Sequence, residues 1–104
     1  MGIQKDAGEL LLFAYKRYCE KGEMVSKEKF IEESGWDEIR THNAFNYLLD
    51  KGLIKARQYL GGGFLIERIY PEGIDIIEHE DKFKSNFGFG INLGLINFSW
   101  SRGK

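Results

Sequence analysis

The sequence predicts an α+β fold in which three helices are followed by a β-hairpin, a further helix and a strand-like tail. Three observations carry this expectation. Apolar residues recur at spacings of three and four as far as Lys51. Two extended runs then meet at Gly61-Gly62-Gly63. From Phe87 onward, large and small residues alternate with a period of two. A chain of 104 residues has room for one hydrophobic core. Its 42% hydrophobic and 30% charged residues, with a single proline, belong to a folded globular chain and not to a disordered one.

Over residues 6–21 the apolar positions Leu10, Leu11, Ala14, Tyr15 and Tyr18 follow the helical period, so a first helix buries one face. Gly22 ends it in the left-handed conformation, and Met24-Val25 form a short extended link. Ser26 carries a hydroxyl that accepts a free amide at a helix start, and the helix it caps buries Phe30 and Ile31 before stopping near Ser34-Gly35. Asp37 caps a third helix through Lys51, in which Thr41, Phe45 and Leu48 face inward with Leu49 beside them, and Gly52 terminates it. Residues 53–60 and 64–70 are the arms of the hairpin. Pro71 suits the first turn of a helix, where no amide hydrogen is needed, and Ile74, Ile76 and Ile77 give that helix its apolar side to about Glu80.

Residues 1–80 are thus expected as one domain. Residues 81–86, with Lys82 and Lys84, are expected as a polar connector, and residues 87–104 as a tail. Phe87, Phe89, Ile91, Leu93 and Leu95 alternate there with Gly88, Gly90, Asn92 and Gly94. The phase slips at Leu95-Ile96, after which Ile96, Phe98 and Trp100 alternate with Asn97, Ser99 and Ser101. The pattern predicts a strand or narrow hairpin with a bulge or turn near residues 92–94. An apolar strand with free backbone groups and no charge invites aggregation unless something covers it. Its own domain, a second copy of the chain and a different partner are the three possible covers. The small domain already has a sheet and a core, which favours pairing between chains. A homo-oligomer held through Phe87, Phe89, Ile91, Leu93, Leu95, Ile96, Phe98 and Trp100 is therefore expected.

The formal net charge of -1 supplies no global attraction for a polyanion, so any nucleic-acid contact must rest on a local patch. The single cysteine, Cys19, forms no intramolecular disulfide and reads as a small buried hydrophobe. No apolar run resembling a secretory signal precedes Asp6 and Glu9, and no stretch is long enough to span a membrane. A reducing, cytoplasmic location is expected. His42 and His79 lack neighbouring cysteines or paired carboxylates, so no metal is expected. Gly61-Gly62-Gly63 lacks the lysine and hydroxyl residue of a phosphate loop and joins two strands. No cofactor is implied, no nucleophile stands beside a base, and the chain does not read as an enzyme.

Three segments resemble the bacterial and phage winged helix-turn-helix proteins, over roughly residues 5–80. They are Met24-Val25-Ser26 before the helix that Ser26 caps, the run Phe45-Asn46-Tyr47-Leu48-Leu49-Asp50-Lys51-Gly52-Leu53-Ile54, and Ile69-Tyr70-Pro71-Glu72-Gly73-Ile74 after the hairpin. The run from Phe45 to Ile54 resembles the end of a recognition helix passing into the first strand of a wing. The resemblance implies a third helix lying in the major groove of double-stranded DNA and a wing touching the backbone. By position it nominates Arg40, His42, Asn43 and Asn46 for the bases, and Lys55, Arg57 and Arg68 for phosphates. Asp37, Glu38 and the uncharged hairpin tip weaken the electrostatic footprint, so two copies would have to add their sites. The expected function is a small prokaryotic or phage transcriptional regulator that binds DNA as a dimer. The alternative is a module of the same fold that recognises protein and assembles through its tail. A small-molecule-responsive regulator, with Phe13, Tyr15, Tyr18 and Trp36 around a ligand, stands as a third class.

Overall fold

In the computed structural model, which describes residues 2–90, the helical period of the N-terminal segment becomes α1 (Ile3–Lys21), closed by Gly22 at φ 64°. A two-residue strand, β1 (Val25–Ser26), follows. The Ser26 hydroxyl accepts from the Lys29 amide at 3.1 Å and starts α2 (Lys27–Ser34). The Asp37 carboxylate accepts from the Arg40 amide at 2.7 Å and starts α3 (Glu38–Asp50). Each cap satisfies an amide that the helix itself leaves without a partner. The hairpin is β2 (Ile54–Gln58) and β3 (Phe64–Ile69), and Pro71 opens α4 (Pro71–Ile77). A fifth helix, α5 (Glu80–Phe87), completes an α+β arrangement.

The strands form one antiparallel sheet in the order β1-β3-β2. Val25 lies opposite Ile66, while Ile54 pairs with Ile69 and Lys55 with Arg68. A register shift between Lys55 and Ala56 brings Ala56 opposite Ile66, leaving Glu67 as the additional residue on β3. At the tip, Gly61 and Gly62 have φ of 91° and 96°, a conformation that side chains resist. The sequence pattern marks Val25 only as a link; its backbone pairs with β3 and makes the hairpin a three-stranded sheet.

The core lies between α1, α3 and the inner face of the sheet, with Leu10, Leu11, Phe30, Phe45, Leu48, Phe64 and Ile77 almost fully buried. Phe45 of α3 stacks on Phe64 of β3 with ring centroids 3.9 Å apart and planes 7° from parallel. Phe13, Phe30 and Trp36 continue the aromatic packing edge to face at 5.0 and 4.9 Å. Phe13 and Trp36 thus belong to the core.

Two expectations are corrected here. Residues 81–86 are not a connector but most of α5, because Phe83 and Phe87, one helical turn apart, are both buried against the rest of the chain. Phe87 therefore packs in the chain's own core and offers no surface to another copy. A methyl group on Gly8 would lie 2.8 Å from Cβ of Phe87 and 3.0 Å from the Phe89 ring, so α1 admits α5 only because position 8 has no side chain. Phe89 packs half-buried on this joint, edge to face with Phe83 at 5.1 Å. The remaining tail candidates, Ile91, Leu93, Leu95, Ile96, Phe98 and Trp100, lie outside the described residues.

Cys19, expected inside, is exposed, and so is Tyr18. The fully buried positions of α1 end at Ala14, and its last turn runs into solvent beyond the core. Between these regions Tyr15 donates a hydrogen bond to Glu78 at 2.9 Å, tying α1 to the end of α4. Its phenol is pushed up to about 12, by burial first and then by the Glu78 acceptor and the neighbouring Cys19 and Glu78 charges. The folded chain holds this proton more tightly than the unfolded chain does. The resulting stability is complete below the ordinary tyrosine value and is lost as pH rises through about 12.

Replacing Phe87 by Ala is expected to cost about 3–5 kcal/mol in urea denaturation, as for other large aromatic truncations in cores. Gly8→Ala is expected to cost about 1–3 kcal/mol by overpacking. An unchanged midpoint for both would mean that α5 does not share the core. Tyr15→Phe should flatten the loss of thermal stability between neutral pH and the alkaline limb, and a variant with the wild-type alkaline profile would remove Tyr15 as its origin.

Candidate functional site

The third helix is held on two sides, and this decides which of its residues face solvent. On one side its Phe45 stacks against β3; on the other, Arg40 reaches back to α1. The Arg40 guanidinium donates to both carboxylate oxygens of Asp6, through Nε at 2.9 Å and through an Nη at 3.0 Å, and lies 4.0 Å above the Trp36 ring. The Asp6 carboxylate is almost buried. This bidentate pair, with Asp6 as the first cause, raises the Arg40 pKa further above its ordinary value. Its position in the sequence nominates Arg40 for a base, but its Nε and one Nη are bound to Asp6 and one face of the guanidinium lies over Trp36. Its partner lies 34 positions upstream, so no local pattern announces the pair.

His42 is also turned inward. Its ring meets Phe64 edge-on at 5.6 Å, and its Nε2 lies 3.9 Å from where a side chain on Gly62 would begin. Beside it stands a residue that the sequence pattern does not single out. Lys27, the first residue of α2, has a side chain only 8% exposed, with its ammonium 3.4 Å from Glu38 and 3.8 Å from the same Gly62 position. The hairpin tip thus folds over Lys27 and His42, and Glu38 at the start of α3 balances the buried lysine. The apolar stretch that would normally mark burial is absent around Lys27, so its placement depends on the tertiary fold.

Asn43 and Asn46 are exposed, and among the described residues neither side chain has an intramolecular hydrogen-bond partner. With Ile39, which is 75% exposed, they follow spacings of four and three, so the three side chains form one stripe along the outer face of α3. Asp50 extends the stripe at its C-terminal end. Asp37 and Glu38 stand exposed at the start of the helix, where one caps it through its carboxylate and the other pairs with Lys27.

On the hairpin, Lys55 and Arg68 are exposed and directly opposite each other across β2 and β3. Like charges in this position oppose pairing unless an anion sits between them. Arg68 leans towards Tyr70, 5.4 Å from its ring. Arg57 is bound instead by Glu67, so of the three nominated phosphate ligands it is the one with a carboxylate already in contact. The tip itself carries no cation: Tyr59 is half-exposed and Leu60 fully so.

An open cleft of about 840 Å³ lies between the end of α1, β1 and α2. Arg17, Lys21 and Lys29 face Glu23, Glu32 and Glu33 across it, and Arg17 pairs with both Glu23 and Glu33. Its charges balance, and none of Phe13, Tyr15, Tyr18 or Trp36 lines it. Among the described residues no group of three His, Cys, Asp or Glu side chains is placed to hold a metal ion, and no helix is long and apolar enough to cross a membrane. No protein-family model, curated protein or solved structure matches the chain.

Arg40→Ala is expected to lower stability by about 2–4 kcal/mol. That is slightly under the range for a fully buried pair, because 34% of the Arg40 side chain is exposed. A double-mutant cycle with Asp6→Asn should recover part of this loss. Additive losses, or a cost for Arg40→Ala within about 0.5 kcal/mol, would mean that the pair does not hold α3 on α1.

Proposed function

We propose that this chain is a winged-helix protein that binds double-stranded DNA, with the outer stripe of α3 in the major groove and the β2-β3 hairpin on the backbone. The order of elements and the β1-β3-β2 sheet are compatible with that layout. The observation that carries the reading is the outer face of α3. Asn43 and Asn46 present amide groups without internal partners among the described residues, and on the hairpin Lys55 and Arg68 are exposed and opposed, a pairing that a bound anion would relieve. Side-chain amides are suited to base edges, and exposed lysine and arginine to phosphates. The withdrawal of Arg40 and the engagement of Arg57 leave few cations, so one copy binds weakly and two copies are needed for a stable complex. The dimer, held through tail residues beyond Phe89, and a role as a small transcriptional regulator belong to the same proposal.

A different reading, a protein-recognition module, is favoured by one specific observation. Ile39, Tyr59 and Leu60 are large apolar side chains left in solvent on α3 and the hairpin tip. Protein interfaces place such side chains at their centre, whereas a DNA surface of this size relies on charge.

Fluorescence anisotropy with mixed-sequence duplex DNA separates the two. Binding should weaken steeply as salt rises, and Lys55→Ala should reduce the slope of affinity against salt by about one unit. On a preferred duplex, Asn43→Ala or Asn46→Ala should each cost about 1–3 kcal/mol in affinity with the thermal midpoint unchanged. No binding at low salt by a folded wild-type chain would replace the DNA reading with the protein-recognition one.

A further inference from the structure

Building on the DNA-binding reading, we infer that the α3 stripe selects A·T base pairs and reads them in the major groove. The side chains that reach guanine most strongly there are arginine and lysine, which donate to O6 and N7. The stripe holds neither. Arg40, the one arginine of α3, is bound to Asp6 and covered on one face by Trp36. His42 is turned towards Phe64 and the Gly62 backbone. Ile39, Asn43 and Asn46 are what the outer stripe of α3 leaves for a base edge, and their chemistry favours one base pair. A carboxamide donates to adenine N7 while accepting from its N6 amino group, and an exposed branched alkyl group fits the C5 methyl of thymine. Asp50, which could accept from cytosine, stands at the last residue of the helix, where its carboxylate is repelled by the phosphates. It therefore confines close approach to the region from Ile39 to Asn46.

The test compares three duplexes of equal length with the full chain at one low salt concentration: alternating A·T, alternating G·C and alternating I·C. Inosine keeps the O6 and N7 of guanine but lacks its N2 amino group, so I·C resembles G·C in the major groove and A·T in the minor groove. The A·T duplex should bind at least about fivefold more tightly than the other two, and Asn43→Ala with Asn46→Ala should abolish the difference. Replacing thymine by uracil removes the methyl group and should weaken the wild-type chain but not Ile39→Ala. Equal, salt-sensitive binding to all three duplexes would overturn the inference and leave the DNA-binding reading intact. An I·C duplex that binds like A·T would overturn it by moving the readout to the minor groove. Failure to bind any of the three would overturn the DNA-binding reading beneath it.

Discussion

The structure depends on holding α3 from two sides at once. Stacked Phe45 and Phe64 fix the helix on the sheet, and the Asp6–Arg40 pair with Trp36 beneath it fixes the same helix on α1. The two contacts differ in kind. The stack contributes area removed from water and works with the surrounding Leu10, Leu11 and Leu48. The ion pair contributes direction: a guanidinium has one planar fork, and matching it to a nearly buried carboxylate sets the rotation of α3 about its axis. With rotation fixed, the identity of the solvent-facing stripe follows from the helical period alone.

The same constraint explains the character of the surface that remains. Charges needed to assemble the domain are neutralised within it: Arg40 by Asp6, Lys27 by Glu38, Arg17 by Glu33 and Arg57 by Glu67. A chain with a formal net charge of -1 that pairs its arginines in this way leaves amides, an isoleucine and a few lysines and arginines exposed on α3 and the hairpin. On the proposed DNA-binding reading, such a surface would discriminate through shape and hydrogen-bond pattern more than attract through charge, and two copies would gather the phosphate contacts that one lacks.

Local chemistry made much of the fold legible. The caps at Ser26 and Asp37, the stops at Gly22 and Gly35, the glycine hairpin tip and the helix opened by Pro71 each depend on residues within four positions of one another. What escaped the sequence depends on distance along the chain. β1 is two residues long and exists only because β3 pairs with it. α5 reads as polar because charged residues outnumber its apolar ones, although Phe83 and Phe87 at a spacing of four carried the signal of a buried face. The site shows the same division. Asn43 and Asn46 face outward as the period predicts, whereas Arg40 is drawn back to Asp6 and Lys27 is buried beside Glu38 by partners that periodicity does not locate.

The most direct measurement is a titration of isotopically labelled protein with duplex DNA at low salt, followed by nuclear magnetic resonance. The side-chain amide signals of Asn43 and Asn46 and the backbone signals of Ile39, Lys55 and Arg68 should move together and saturate, while those of α1 and α5 stay in place. Signals that move only around the charged cleft between α1 and α2, or none that move at all, would contradict it.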